Sequence, residues 1–206
     1  MRLLLARHGR TASNVAALLD TAPPGPELDA IGHAQAAALA RRVAGQRLGA
    51  VYTSDLIRAV QTAAPTVRSF GVPHRELPEL REIGAGDDEM SAELQRYVRA
   101  LRLWGEGDHG VRIPGGEDGA EFLERFGAGI RNIAEDGHDT VLVVSHGAAI
   151  RTWAGFVMPV VHLAFGSGGL PNTTVIVADG DPDSGWTLRG IDLPAPDPDD
   201  GFAVMR

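Results

Sequence analysis

Two short apolar runs, far apart in the chain, end in the same way. Leu3, Leu4, Leu5 and Ala6 are followed by Arg7, His8 and Gly9, and the apolar residues 141–144 are followed by Ser145, His146 and Gly147. Runs that do not alternate predict strands buried on both faces, as in a parallel sheet. Ligands of open α/β sheets bind just beyond the carboxyl ends of such strands. If the two are parallel neighbours, two histidines arrive at one edge.

The rest of the pattern supplies the remaining layers. Residues 50–53 suit another strand and 74–83 a short edge strand and loop. Residues 173–178 and 186–191 alternate around DGDPDSG, which predicts a hairpin at the sheet edge. Asp29 can cap a helix carrying Ala30, Ala34, Ala37 and Val43, and Ser54 or Asp55 can cap the helix that follows residues 50–53. Leu94, Val98 and Leu101 fall at helical spacing over 91–103. Phe122, Phe126, Ile130 and Ile133 form the buried face of a long helix from Asp118 towards Ala134, and 148–157 predict another helix. Proline and glycine mark loops at 21–27, 105–116 and 166–171. The expectation is an α/β fold, a three-layer α/β/α sandwich with a mostly parallel central sheet, one edge hairpin and a small cap. Residues 1–192 would form one domain with the cap around 84–115, and an Asp/Pro-rich tail over 193–206 would be poorly ordered.

Composition narrows the chemistry. A net charge of -8 argues against nucleic acid or an anionic membrane surface as partner. The chain has no cysteine, which removes disulfides, thiolate metal sites and a cysteine nucleophile. It has no lysine either: all 19 basic residues are arginine, so neither Schiff-base chemistry nor a P-loop lysine is available. The opening apolar run is too short for a signal peptide and nothing approaches a membrane span, so the cytoplasm is the expected compartment. No pair of the seven histidines has close metal-ligand spacing, and neither a metal nor a cofactor is expected.

Arg58 lies about one turn past the predicted cap, near enough to the sheet edge to face the same place as Arg7. Spacing by itself favours a solvated arginine. Periodicity likewise does not choose among Glu76, Glu79 and Glu82.

Taken in order, RHG at residues 7–9 with Thr11 and Asn14, then SDLIRAVQTA, LREIGAG, IPGGE and VVSHGAAIR, resemble the histidine phosphatase superfamily in its phosphoglycerate-mutase-like branch. The resemblance implies that His8 is a nucleophile that takes up the phosphoryl group, with Arg7, Arg58 and His146 forming a cationic pocket around it. It implies that Glu82 is the proton donor, that Asn14 contacts the phosphate with Thr11 beside it, and that Gly9 and Gly147 let backbone approach the site. The expected activity is metal-independent hydrolysis of phosphomonoesters of small metabolites. A homodimer is left open.

Chemistry supports these roles. Phosphoryl oxygens need fixed cations through a loose transition state, and the arginine fork binds two oxygens without losing its charge. The attacking imidazole must be neutral, and a carboxylic acid raised in pKa by burial would protonate the leaving oxygen and later activate water. Arg10 stands where an acidic residue or glutamine is common in the family, which predicts a more cationic mouth favouring multiply charged substrates. GAGDDEM after Glu82 lacks the aromatic and glycine common there, which predicts an altered cap wall. Asp118 replaces a common serine and would touch a polar network. A mutase reading would call for longer insertions than this chain has. A serine hydrolase built on Ser145 lacks the first glycine of the nucleophile elbow. A phosphometabolite-binding protein without turnover is a further alternative.

Overall fold

The computed structural model describes residues 1–159 and 169–195. In chain order it contains β1 (Arg2–Arg7), α1 (Ala12–Val15), α2 (Ala30–Arg42), β2 (Ala50–Thr53), α3 (Ile57–Phe70) and β3 (His74–Glu76). These are followed by α4 (Gln95–Gly105), α5 (Gly119–Glu135), β4 (Thr140–Ser145), α6 (Gly147–Val157), β5 (Val175–Asp181) and β6 (Gly185–Asp192).

The strands form one sheet in the order β3-β2-β4-β1-β5-β6. β1 is parallel to β4, and β2 is parallel to both β4 and β3. β5 is antiparallel to β1 and to β6, so the predicted hairpin closes one edge and the short β3 the other. The unbroken apolar runs follow from cores on both faces. Leu3 and Leu5 of β1 pack with Phe122, Phe126, Ile130 and Trp153 on the α5/α6 side. Leu4 and Ala6 point the other way, against Leu39, Val43, Ala59 and Ala63 of the α2/α3 region. Successive strand side chains alternate between faces, so a strand covered on both must be apolar throughout.

Several helix ends follow local sequence. Asp29 caps α2 by accepting from the Gly32 N–H, and Asp118 caps α5 in a reciprocal capping box with Glu121. Asp118 also pairs with Arg112, which gives it the polar role expected of it. The start of α3 differs from expectation. Its N-cap is Leu56, with no side-chain hydrogen bond, because Ser54 and Asp55 are engaged elsewhere: Ser54 with His146, and Asp55 with Arg81. β5 begins at Val175 rather than at Thr173, whose φ of 57° is incompatible with a strand. Residues 166–168 of the predicted glycine-rich loop, and the tail from 196, lie outside the described residues.

α4 begins at Gln95, later than the apolar spacing suggested, and Leu94 is its N-cap. Its buried residues are Tyr97, Ala100 and Trp104, and Leu94 and Leu101 are partly buried against the same core. Leu94, Val98 and Leu101 also line a cleft. No helix among the described residues is long and apolar enough to cross a membrane.

Candidate active site

Strand register brings the site together. Arg7 lies opposite Ser145 in the β1–β4 pair, and Thr53 lies opposite Val144 in the β2–β4 pair. Three adjacent strands therefore end side by side. The chain leaves them as His8, His146 and Ser54, tied across by His8 N–H to Ser145 O at 2.9 Å and Ser54 N–H to Val144 O at 3.1 Å. α3 starts three residues beyond Ser54, which places Arg58 in its first turn. Arg58 is buried rather than solvated, and its Nε donates to His8 Nε2 at 3.2 Å.

His8 is 3% exposed, and its Nδ1 lies 2.7 Å from its neighbour's carbonyl, Gly9 O. A carbonyl only accepts, which assigns the proton to Nδ1 and leaves the lone pair on Nε2, facing Arg58. Burial, reinforced by the charges of Arg58 and then Arg7, holds the His8 pKa well below the usual imidazole range. The ring is a neutral base with a directed lone pair.

His146 lies close by, with ring centroids 5.2 Å apart, and is fully buried. Ser54 Oγ sits 2.7 Å from its Nε2. The Ser54 hydroxyl has no other acceptor within reach among the described residues and also receives the Leu56 N–H at 3.4 Å, so it donates to Nε2. The remaining proton belongs on Nδ1, which is buried with no hydrogen-bond partner. Burial, and then the charges of Arg58, His8, Arg7 and Arg125, push this pKa well down too. His146 is therefore a neutral ring that donates from Nδ1 rather than a cation of the pocket.

Two further donors converge here. Arg58 Nη1 is buried without a partner. Asn14 Oδ1 accepts from both the Thr11 N–H at 3.1 Å and Asn172 Nδ2 at 3.2 Å, which fixes the amide and leaves its NH2 group free to donate. Thr11 is buried as the cap of α1, with its side-chain oxygen accepting from the Asn14 N–H. Arg7 is anchored through Nη1 to the Leu170 carbonyl. A Cβ on Gly147 would stand 3.1 Å from Arg7 Nε, so glycine there makes room for the guanidinium. Gly9 does something else: its added Cβ would lie 2.7 Å from Gly32 O, so it accommodates α2 rather than a ligand.

Glu82 meets the amino end of α6. Oε1 accepts from the N–H groups of Ala149 at 2.7 Å and Ile83 at 2.9 Å, and Oε2 from the Ala148 N–H at 3.1 Å. The carboxyl group is thus held by backbone donors at a helix N-terminus, not set in apolar surroundings. Its own backbone is fixed by Arg125 of α5, which donates to the carbonyls of Glu79, Arg81 and Glu82 and pairs with Glu117 at 2.6 Å. Glu76 lies in the edge strand β3, and Glu79 does not line the catalytic cleft.

Arg7, His8, Thr11, Asn14, Arg58, Glu82 and Gly147 all line one cleft of about 710 Å³. Arg10 does not. Its Nε pairs with Asp29 at 2.8 Å behind the signature, so the expected extra charge at the mouth is absent. The cap of α2 has captured that arginine. Ser145, the serine-hydrolase candidate, donates to Leu80 O at 2.7 Å from a fully buried position outside the cleft.

Three positioning residues were not identified from sequence. Ser54 was read only as a helix cap. Asn172, which holds His8 O at 2.9 Å as well as Asn14, signalled itself only as a polar residue before an apolar strand. Arg125 looked like any charged residue on an amphipathic helix. Among the described residues, no group of three or more His, Cys, Asp or Glu side chains is arranged to hold a metal ion.

His8, Arg7, Arg58 and the helix-terminal Glu82 line one cleft, with His146 buried directly beside His8, an arrangement of fixed cations and a neutral imidazole suited to a phosphoryl group. The chain belongs to the histidine phosphatase superfamily, branch 1, whose family model matches residues 3–192. It is 34% identical over 208 residues to the PE-PGRS family protein PE_PGRS11 of Mycobacterium tuberculosis, covering 90% of this chain. This chain spans only 35% of that relative's length. It is also 32% identical over 157 residues to the probable phosphoglycerate mutase GpmB of Yersinia enterocolitica, covering 73% of this chain and 71% of that protein. Among solved structures, a mycobacterial glucosyl-3-phosphoglycerate phosphatase matches with a TM-score of 0.74 and 26% identity, covering 91% and 96% of the two chains. The alpha-ribazole phosphatase of Shigella flexneri matches with a TM-score of 0.72 and 28% identity, covering 92% and 95%.

Proposed function

We propose that this protein hydrolyses phosphomonoesters of small metabolites in two steps through a phosphohistidine on His8. The observation that carries the reading is the state of His8: Nδ1–H is held by a carbonyl, the pKa is pushed well down, and the Nε2 lone pair faces Arg58. In the first step Nε2 attacks phosphorus and the bond from phosphorus to the ester oxygen breaks. The leaving oxygen takes a proton from Glu82, or from the phosphate when it enters as a monoanion. In the second step water attacks phosphorus, Glu82 takes its proton, and the P–N bond breaks to release inorganic phosphate. Arg58 turns its donors from His8 to the phosphoryl oxygens, joined by Arg7, Asn14 Nδ2 and His146 Nδ1–H.

The charge that stabilises transfer comes from guanidinium groups that do not deprotonate, so the reaction needs no metal on this reading. Glu82 is well arranged for its second role, since its oxygens already act as acceptors. We read residues 1–192 as one catalytic unit with a cap around 84–115, acting on a cytoplasmic metabolite.

The test is p-nitrophenyl phosphate hydrolysis near pH 6 with chelator present, comparing wild type with His8→Ala. Loss of about three orders of magnitude or more, equivalent to about 4 kcal/mol of barrier, is expected. A mutant that keeps its rate removes His8 as nucleophile. The GpmB relative makes a mutase the second reading. Incubation with 3-phosphoglycerate separates the two, because a phosphatase releases inorganic phosphate and a mutase returns an isomeric phosphoglycerate.

A further inference from the structure

The cleft has two ends of different chemistry. One holds His8, Arg58, Asn14 and Glu82. The other continues from the same space and is walled by Leu18, Leu94, Val98, Leu101, Leu123 and Phe156. Helix α4 shows how this end is built. Tyr97, Ala100 and Trp104 are buried, with Tyr97 and Trp104 also reaching the cleft wall, and Leu94, Val98 and Leu101, spaced by four and three residues, add a second apolar stripe along the cleft. Leu94 and Leu101 also touch the core from their inner sides, whereas core packing does not account for Val98. Val98 remains 43% exposed and Phe156 54% exposed, although both are large apolar side chains. The His109 ring packs edge-on against Phe156, with centroids 5.4 Å apart, extending the same wall.

The cleft is far larger than a phosphoryl group and lies in the size range of pockets that enclose small organic ligands. Beyond the catalytic residues the polar lining is the smaller part, with Arg102, His109, Arg151 and Thr152 beside these apolar side chains. Arg10 is turned away to Asp29, Arg102 pairs with Glu106 at 2.7 Å, and Asp20 accepts from Ser13 Oγ at 2.5 Å.

Building on the phosphatase reading, we propose that the leaving group is apolar: the substrates are phosphomonoesters of hydrophobic alkyl or aryl alcohols, whose bodies occupy the chamber between α4 and α6. Burying such a body against Val98, Leu101 and Phe156 removes apolar surface of both partners from water. Each added methylene should strengthen binding about threefold to fourfold until the chamber is filled. Alkyl and aryl alcohols share this chemistry, and the experiment separates them.

The test measures calorimetric binding of n-alkylphosphonates from methyl to octyl, which do not hydrolyse, alongside steady-state hydrolysis of the matching alkyl phosphates, 1-naphthyl phosphate, glucose 6-phosphate and 3-phosphoglycerate. Wild type should bind octylphosphonate at least a hundredfold more tightly than methylphosphonate. Val98→Asp and Phe156→Ser, each at an exposed position, should each remove tenfold or more of that gain while binding methylphosphonate as wild type does. Naphthyl or octyl phosphate should have the higher specificity constant, and which of them leads tells aryl from alkyl. A flat phosphonate series, or glucose 6-phosphate or 3-phosphoglycerate outranking both apolar esters, overturns the proposal. A steep binding series with no hydrolysis of any ester supports the chamber and overturns the phosphatase reading instead.

Discussion

Replacing Ser54 with alanine tests whether His146 works as a neutral donor whose tautomer is set from behind. The Ser54 hydroxyl donates to Nε2 at 2.7 Å between two fully buried residues, and Nδ1 has no partner among the described residues. Removing the hydroxyl leaves Nε2 buried without a donor, which costs about 1–3 kcal/mol of stability. For a chain of this length that lowers Tm by roughly 2–12 °C. Alanine also lets the proton move to Nε2, which turns an acceptor lone pair towards the phosphoryl oxygens. Loss of one oriented donor to a developing charge costs up to about 100-fold in kcat, and about tenfold is expected when the ring survives but its tautomer is mixed. The assay combines p-nitrophenyl phosphate kinetics with the 15N shifts of His146. Wild type should show protonated Nδ1 and unprotonated Nε2, Ser54→Ala should show a shift towards the other form, and Ser54→Thr should restore both signal and rate. An unchanged tautomer together with a kcat within twofold of wild type would refute the reasoning.

Three other expectations follow from the same geometry. Because burial and the flanking arginines lower the His8 pKa, His8 stays unprotonated as pH falls through the normal imidazole range; kcat/KM, corrected for substrate ionisation, should therefore lose activity only well below pH 6.5, and an acid limb centred there would contradict it. Both imidazoles bind protons more weakly folded than unfolded, so their contribution to stability is complete above about pH 6.5 and declines as pH falls below it, visible as a falling denaturation midpoint that His8→Asn/His146→Asn should flatten. Arg10→Gln should leave kcat/KM within about threefold of wild type, since its guanidinium faces Asp29; a loss of about 100-fold would return Arg10 to the site.

Much of the site could be read in the sequence because strand ends are local features. An apolar run that stops at Arg-His-Gly or Ser-His-Gly states both that a strand is buried and where it ends, and parallel pairing then places His8 beside His146. The long amphipathic face of α5 and the capping residues Asp29 and Asp118 were equally local, and each stands where the pattern put it. Arg58 was harder. Nothing in helical spacing distinguishes an arginine turned towards three strand ends from one turned towards water, and only its place in the family's motif order favoured the former.

What the sequence determined by itself was therefore the strands and the longer helices, the two-sided burial of the sheet and the set of candidate side chains for the site. These depend on periodicity and on residues adjacent in the chain. The tertiary structure decided which polar groups are committed to one another. Arg10 and Arg58 carry the same charge near the same strand ends, yet one lies against a helix-capping aspartate and the other against His8. Ser54 serves a histidine 92 positions away rather than its own helix, and Arg125 holds the Glu82 backbone from across the fold. Leu94 and Leu101 touch the core as their spacing suggests, and with Val98 they also wall the cleft. Such partnerships depend on directions and distances between segments brought together only by folding, and composition and spacing carry no record of them.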